Sequence, residues 1–167
     1  MPVNRTLRGL YLSSDGNWLD TVEAALQREF DEIHLTQVAS LDSFVASAQS
    51  GEFDVLMADY ALSGCTGLDA WNQLEHGDNG VPFLILFTTV IGEAESIDVM
   101  RSGVNECIYA EDFQRLGYVV LKLLEVWEAR QAKIQADAAL VVSRNQLLRL
   151  TQQLHARIEE ERTAVSR

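Results

Sequence analysis

Short apolar runs alternate with longer stretches of helical period over most of the chain. LRGLYL at 7–12 predicts a first strand. WLDTVEAALQREF at 18–30 follows, with Trp18, Leu19, Val22, Ala25, Leu26 and Phe30 at helical spacing. EIHLTQV at 32–38 alternates residue by residue as a half-buried strand does, and LDSFVASAQS at 41–50 returns to helical period before Gly51. DVLMAD at 54–59 reads as a third strand and LDAWNQL at 68–74 as a short helix. VPFLILFTT at 81–89 is almost continuously apolar, the mark of a strand covered on both faces. Residues 93–102 predict a helix stopped by Gly103, and ECIY at 106–109 a brief fifth strand. From about Phe113 a helical pattern carries on to Arg167.

Strict alternation of strands and helices with short connections argues for an α/β fold in which helices cover a parallel sheet. In such sheets the functional crevice lies at the carboxyl ends of the strands. That rule gathers Ser13, Ser14 and Asp15 after the first strand, Asp59 at the end of the third, Thr88 and Thr89 after the fourth, and Ala110 and Glu111 after the fifth. With strand order 2-1-3-4-5, all of them are expected around one crevice. Asp59 stands out, because a carboxylate ending a buried strand is costly unless it is paired or used.

Composition narrows the function classes. A formal charge of -12, with only 13 Lys and Arg among 167 residues, excludes a general nucleic-acid binder, which needs clustered cations for phosphates. No apolar run is long enough to span a bilayer, and MPVNRTLRG lacks the apolar block of a signal peptide, so a cytoplasmic protein without membrane contact is expected. Cys65 and Cys107 form neither a CxxC pair nor part of a His cluster, and they read as reduced packing or loop thiols.

Asp59 with Gly67 eight positions on, Thr88 after the apolar fourth strand, and RSGVNECIY containing the fifth strand carry a resemblance to response-regulator receiver domains over roughly residues 5–128. The resemblance implies a flavodoxin-like (βα)5 fold with a five-stranded parallel sheet. It further implies that Asp59 is the phospho-acceptor position, fed by a phosphohistidine donor, and that Thr88 is the switch hydroxyl. A carboxylate attacking an anionic phosphoryl group needs Mg²⁺ to bridge the oxygens and a Lys to offset developing charge. Receivers therefore place two acids after the first strand and a Lys after the fifth.

Here the chain departs from the family. Ser13 and Ser14 fall at the acidic pair, with Asp15 one residue late; Ala110 falls at the Lys, Cys107 at the mobile aromatic, and Ser63 at the usual proline. Serine hydroxyls are weak neutral ligands, so a Mg²⁺ site built on Asp15 and Asp59 is expected to be weak or absent. The expectation is a receiver in which Asp59 phosphorylation is impaired. The alternatives are a competent Mg²⁺-dependent receiver with Asp15 as metal ligand, and a purely structural dimerisation scaffold.

From Tyr118 onward the chain has neither Gly nor Pro. Trp127, Ile134, Val141 and Leu148 recur every seven residues, as do Leu140, Leu147 and Leu154, with Leu150, Ile158 and Val165 completing the stripe. This is coiled-coil spacing with a phase shift near SRNQ, and a parallel homodimer is its simplest partner; a hairpin turning at Ser143–Asn145 is the alternative. EERTAVSR resembles the lead-in to the dimerisation helix of one class of sensor histidine kinases, through Glu161, Arg162, Val165 and Arg167. His155 lacks the acidic neighbour that a phospho-accepting histidine has in that class. The sequence thus predicts a receiver-like domain at 1–128 and a helical extension at 129–167. It reads as a non-enzymatic regulatory segment of a histidine kinase, partnered by kinase modules or a phosphotransfer protein.

Overall fold

The computed structural model describes residues 5–74 and 80–165. It contains β1 (Thr6–Leu12), α1 (Leu19–Leu26), β2 (Glu32–Val38), α2 (Leu41–Gln49), β3 (Val55–Asp59), α3 (Gly67–Gln73), β4 (Phe83–Phe87), α4 (Glu93–Arg101) and β5 (Glu106–Tyr109). A 3₁₀ helix, Ala110–Arg115, then leads into α5 (Leu116–Val165). The five strands are all parallel, as the alternating pattern predicts, in the order β2-β1-β3-β4-β5, the flavodoxin-like arrangement that the receiver resemblance implies.

Both faces of the sheet are covered, so β3 and β4 are buried at every residue and carry no alternation. On one face Val22, Leu26, Leu116, Val120 and Leu124 of α1 and α5 pack with Tyr11, Met57 and Leu86. On the other, Phe44, Ala70 and Val99 of α2, α3 and α4 pack with Leu12, Ala58, Ile85 and Phe87. Local signals set the helix ends. The Ser40 hydroxyl accepts the Ser43 N–H at the start of α2, and Thr66 and Asp69 form a capping box on α3. Gly103, at φ +91°, supplies the left-handed residue that ends the α4 segment.

Two boundaries differ from the sequence pattern. α1 stops at Leu26 although helical spacing runs on to Phe30, because the chain turns there and Phe30 reaches the core from outside the helix. The last helical stretch opens earlier than Phe113, as a 3₁₀ turn at Ala110. α5 is a single helix through Ser143–Asn145, so the hairpin alternative is excluded.

The chain divides into two units, residues 1–127 and 128–167. In the second, every side chain from 135 to 164 is exposed, including Leu140, Leu147, Leu148, Leu150, Leu154 and Ile158. His76 and Arg167 lie outside the described residues. Among the described residues no helix is long and apolar enough to cross a membrane.

Candidate functional site

Strand register brings the predicted residues to one end of the sheet. Leu12 pairs with Ala58 and Asp59 with Leu86, so Ser13 emerges beside Asp59. Phe87 pairs with Tyr109, so Thr88 emerges beside Ala110. Gly67 allows the end of β3 to meet the start of α3: a Cβ there would lie 2.8 Å from the Asp59 carbonyl oxygen. This explains the glycine eight residues after the aspartate as a steric requirement.

Asp59 is 3% exposed, and its Oδ1 accepts a hydrogen bond from the Tyr11 hydroxyl at 2.5 Å. In the sequence Tyr11 reads as an ordinary core position of β1, with nothing to mark it as a partner of Asp59. Desolvation raises the Asp59 carboxyl above the usual range; the Tyr11 and Ser13 hydroxyls pull it partly back, and Asp15 pushes it up again. Burial, then the Asp59 charge, drives the Tyr11 phenol far above its ordinary range, so it stays a proton donor at any physiological pH.

The neighbouring oxygens are also occupied. Ser14 Oγ accepts the Ser63 N–H at 2.8 Å, tying the loop after β1 to the loop after β3. Asp15 Oδ1 accepts the Asn17 N–H at 3.0 Å and lies 3.5 Å from the Ser13 hydroxyl. Ser13 Oγ in turn accepts the Gly16 N–H at 3.2 Å. Mg²⁺ demands near-octahedral oxygen ligation, normally anchored by carboxylates. Here Tyr11 engages Oδ1 of Asp59, Asp15 is turned to its own loop, and the remaining side-chain oxygens are neutral hydroxyls. Among the described residues no group of three His, Cys, Asp or Glu could hold a metal. These residues do not fit the Mg²⁺ ion that the receiver resemblance implies.

Thr88 and Thr89 follow the end of β4. With Phe87, Ile91, Tyr109, Ala110 and Glu111 they line a groove of about 370 Å³, built from β4, β5 and their following segments. Beside the groove, Tyr109 stacks on Phe87 with ring centroids 4.9 Å apart, and its hydroxyl lies 2.6 Å from Ser96 Oγ. Tyr109 is thus tied to α4. Cys65 and Cys107 are free thiols, each pushed up by burial and then by a nearby acid, Asp69 or Glu106, which disfavours the reactive thiolate.

The signal receiver domain of a protein assigned as a Luxo repressor in Vibrio parahaemolyticus superposes with a TM-score of 0.64 at 12% identity, covering 76% of this chain and 96% of that one. The fold is that of a receiver domain. A protein assigned as a response regulator in Chloroflexus aurantiacus is similar at TM-score 0.60 and 20% identity, over 72% of this chain and 99% of that one. The receiver domain of a signal transduction histidine kinase from Syntrophus aciditrophicus is similar at TM-score 0.60 and 14% identity, over 71% and 90%. No protein-family model matches the sequence, and no curated protein matches it significantly. The receiver fold thus survives here at identities that leave the site free to diverge.

Proposed function

We propose that residues 1–128 are a regulatory receiver-like domain of a two-component histidine kinase in which Asp59 accepts phosphate poorly. In this reading residues 129–167 pass its state onward as a parallel two-stranded helix. One observation carries the proposal: the Tyr11 hydroxyl bonds to the Asp59 carboxylate, where a receiver would present that oxygen to a metal and a phosphoryl group. Electrostatic help is missing on every side, with Ser13 and Ser14 at the acidic positions and Ala110 at the Lys position. Phosphoryl transfer depends on that help.

Support for the helical part is the exposed stripe of leucines on α5, which packs on nothing among the described residues of its own unit and keeps a seven-residue recurrence. A two-state change in the helix pair would carry the signal, biased by an input that favours one state. Kinase modules or a phosphotransfer protein are the partners that fit this role.

The test is incubation with acetyl phosphate and Mg²⁺, read by intact mass. Little or no phosphoryl adduct is expected. A stoichiometric adduct that disappears in Asp59→Asn overturns the impaired reading and establishes a competent receiver with Asp15 as its metal ligand.

A further inference from the structure

The groove beside Thr88 owes its room to one small, neutral residue. Ala110 stands partly buried where the receiver resemblance calls for a long lysine, and a methyl group cannot fill the space or bring charge into it. The resulting volume, about 370 Å³, falls within the range of small-molecule sites. Its lining has three parts. Ile91 and Tyr109 give an apolar, partly aromatic wall, with Phe87 buried and stacked on Tyr109 and Val90 fully exposed; Thr88 and Thr89 give two hydroxyls that make no side-chain hydrogen bond among the described residues; Glu111 gives one carboxylate.

Charge decides between ligands. Among the described residues Glu111 is the only charged one lining the groove and no Lys, Arg or His does so, and the whole chain carries -12. An anion entering here would meet a carboxylate with no compensating cation, whereas an ammonium group would find Glu111, the hydroxyl oxygens and the face of Tyr109. From this we infer that the groove is a binding site for a small organic cation with an apolar or aromatic body, its ammonium held by Glu111 and Thr88 and its body against Ile91 and Tyr109. Because Tyr109 is bonded to Ser96 of α4, an occupant would bear directly on the β5–α4 contact. The inference goes beyond the proposed function: binding depends on the groove and not on whether Asp59 takes phosphate.

Phenethylamine and hydrocinnamate share size and a phenyl ring and differ in the sign of their charge. Each is titrated into the isotope-labelled full chain while backbone amide shifts are followed by nuclear magnetic resonance. Phenethylamine is expected to shift the amides of 87–91 and 109–111 saturably, with hydrocinnamate weaker by about tenfold. Ala110→Lys, which fills the groove and adds a cation, is expected to abolish the effect, and Glu111→Gln to weaken it by about tenfold with its amide spectrum otherwise unchanged. Equal response to both probes, shifts spread outside the groove, no shift up to millimolar probe, or full binding by Ala110→Lys would overturn the inference. Acetyl phosphate labelling of the same samples reports on Asp59 separately, so the two readings fail independently.

Discussion

The Tyr11 hydroxyl donates to Asp59 Oδ1 across 2.5 Å, joining β1 to the end of β3 inside the protein. A buried carboxylate must find donors. In a receiver those would be a metal and a lysine; here the phenol takes that part, and it does so without adding positive charge.

Tyr11→Phe removes the donor and leaves the carboxylate short of a partner. A loss of about 1–3 kcal/mol at neutral pH is expected. Chemical denaturation of wild type, Tyr11→Phe, Asp59→Asn and the double variant forms a cycle. A coupling energy indistinguishable from zero would show that the two side chains do not depend on one another.

Because the Asp59 carboxyl is raised in the folded state, its ionisation works against folding. The associated stability is full below the ordinary carboxylate range and is lost as pH rises through the folded value. Asp59→Asn is therefore expected to melt several degrees above wild type at neutral pH, with the gap closing toward acid. Melting curves across that interval check the sign, since a gap that widens in acid has the opposite cause.

Gly117 sets two rules against each other. Replacing glycine by alanine in a helix ordinarily stabilises by up to about 1 kcal/mol. Here the added Cβ would lie 2.6 Å from the Ala25 carbonyl oxygen, which is backbone and cannot swing away. Gly117→Ala is expected to destabilise by roughly 1–3 kcal/mol, by separating α1 from α5. A thermal melt at or above wild type would show that the two helices give way easily.

The exposed stripe on α5 is expected to pair two chains. Light scattering at tens of micromolar should return twice the chain mass. Leu147→Asp with Leu154→Asp should return the single mass while the receiver-fold part keeps its near-ultraviolet spectrum. A monomeric wild type would remove the helix-pair half of the proposal.

Much of the fold was legible because periodicity reports burial directly: β4 is apolar throughout since both its faces are covered, and Gly103 marks the turn after α4. Asp59 was legible for a related reason, as a lone acid closing such a run. Tyr11 was not. Its partner lies 48 residues away, and in LRGLYL a phenol ring has the pattern of any core side chain, so only the pairing of β1 with β3 reveals what the hydroxyl does. The end of α1 was hidden because QREF keeps helical spacing while the chain turns. The need for Gly117 has no local signal, since close approach of the Ala25 carbonyl is a tertiary fact. The groove beside Thr88 was likewise invisible, because strand ends give the end of a sheet but not which side chains face each other.

The central claim is that Asp59 has lost the charges that make a receiver aspartate reactive. The direct measurement is phosphorylation by acetyl phosphate with Mg²⁺, followed by intact mass over time for wild type beside a variant carrying Tyr11→Phe, Ser13→Asp, Ser14→Asp and Ala110→Lys. The expected result is an adduct on the restored variant, lost when Asp59→Asn is added, and little or none on wild type. Labelling of wild type as fast as the restored variant would contradict the claim.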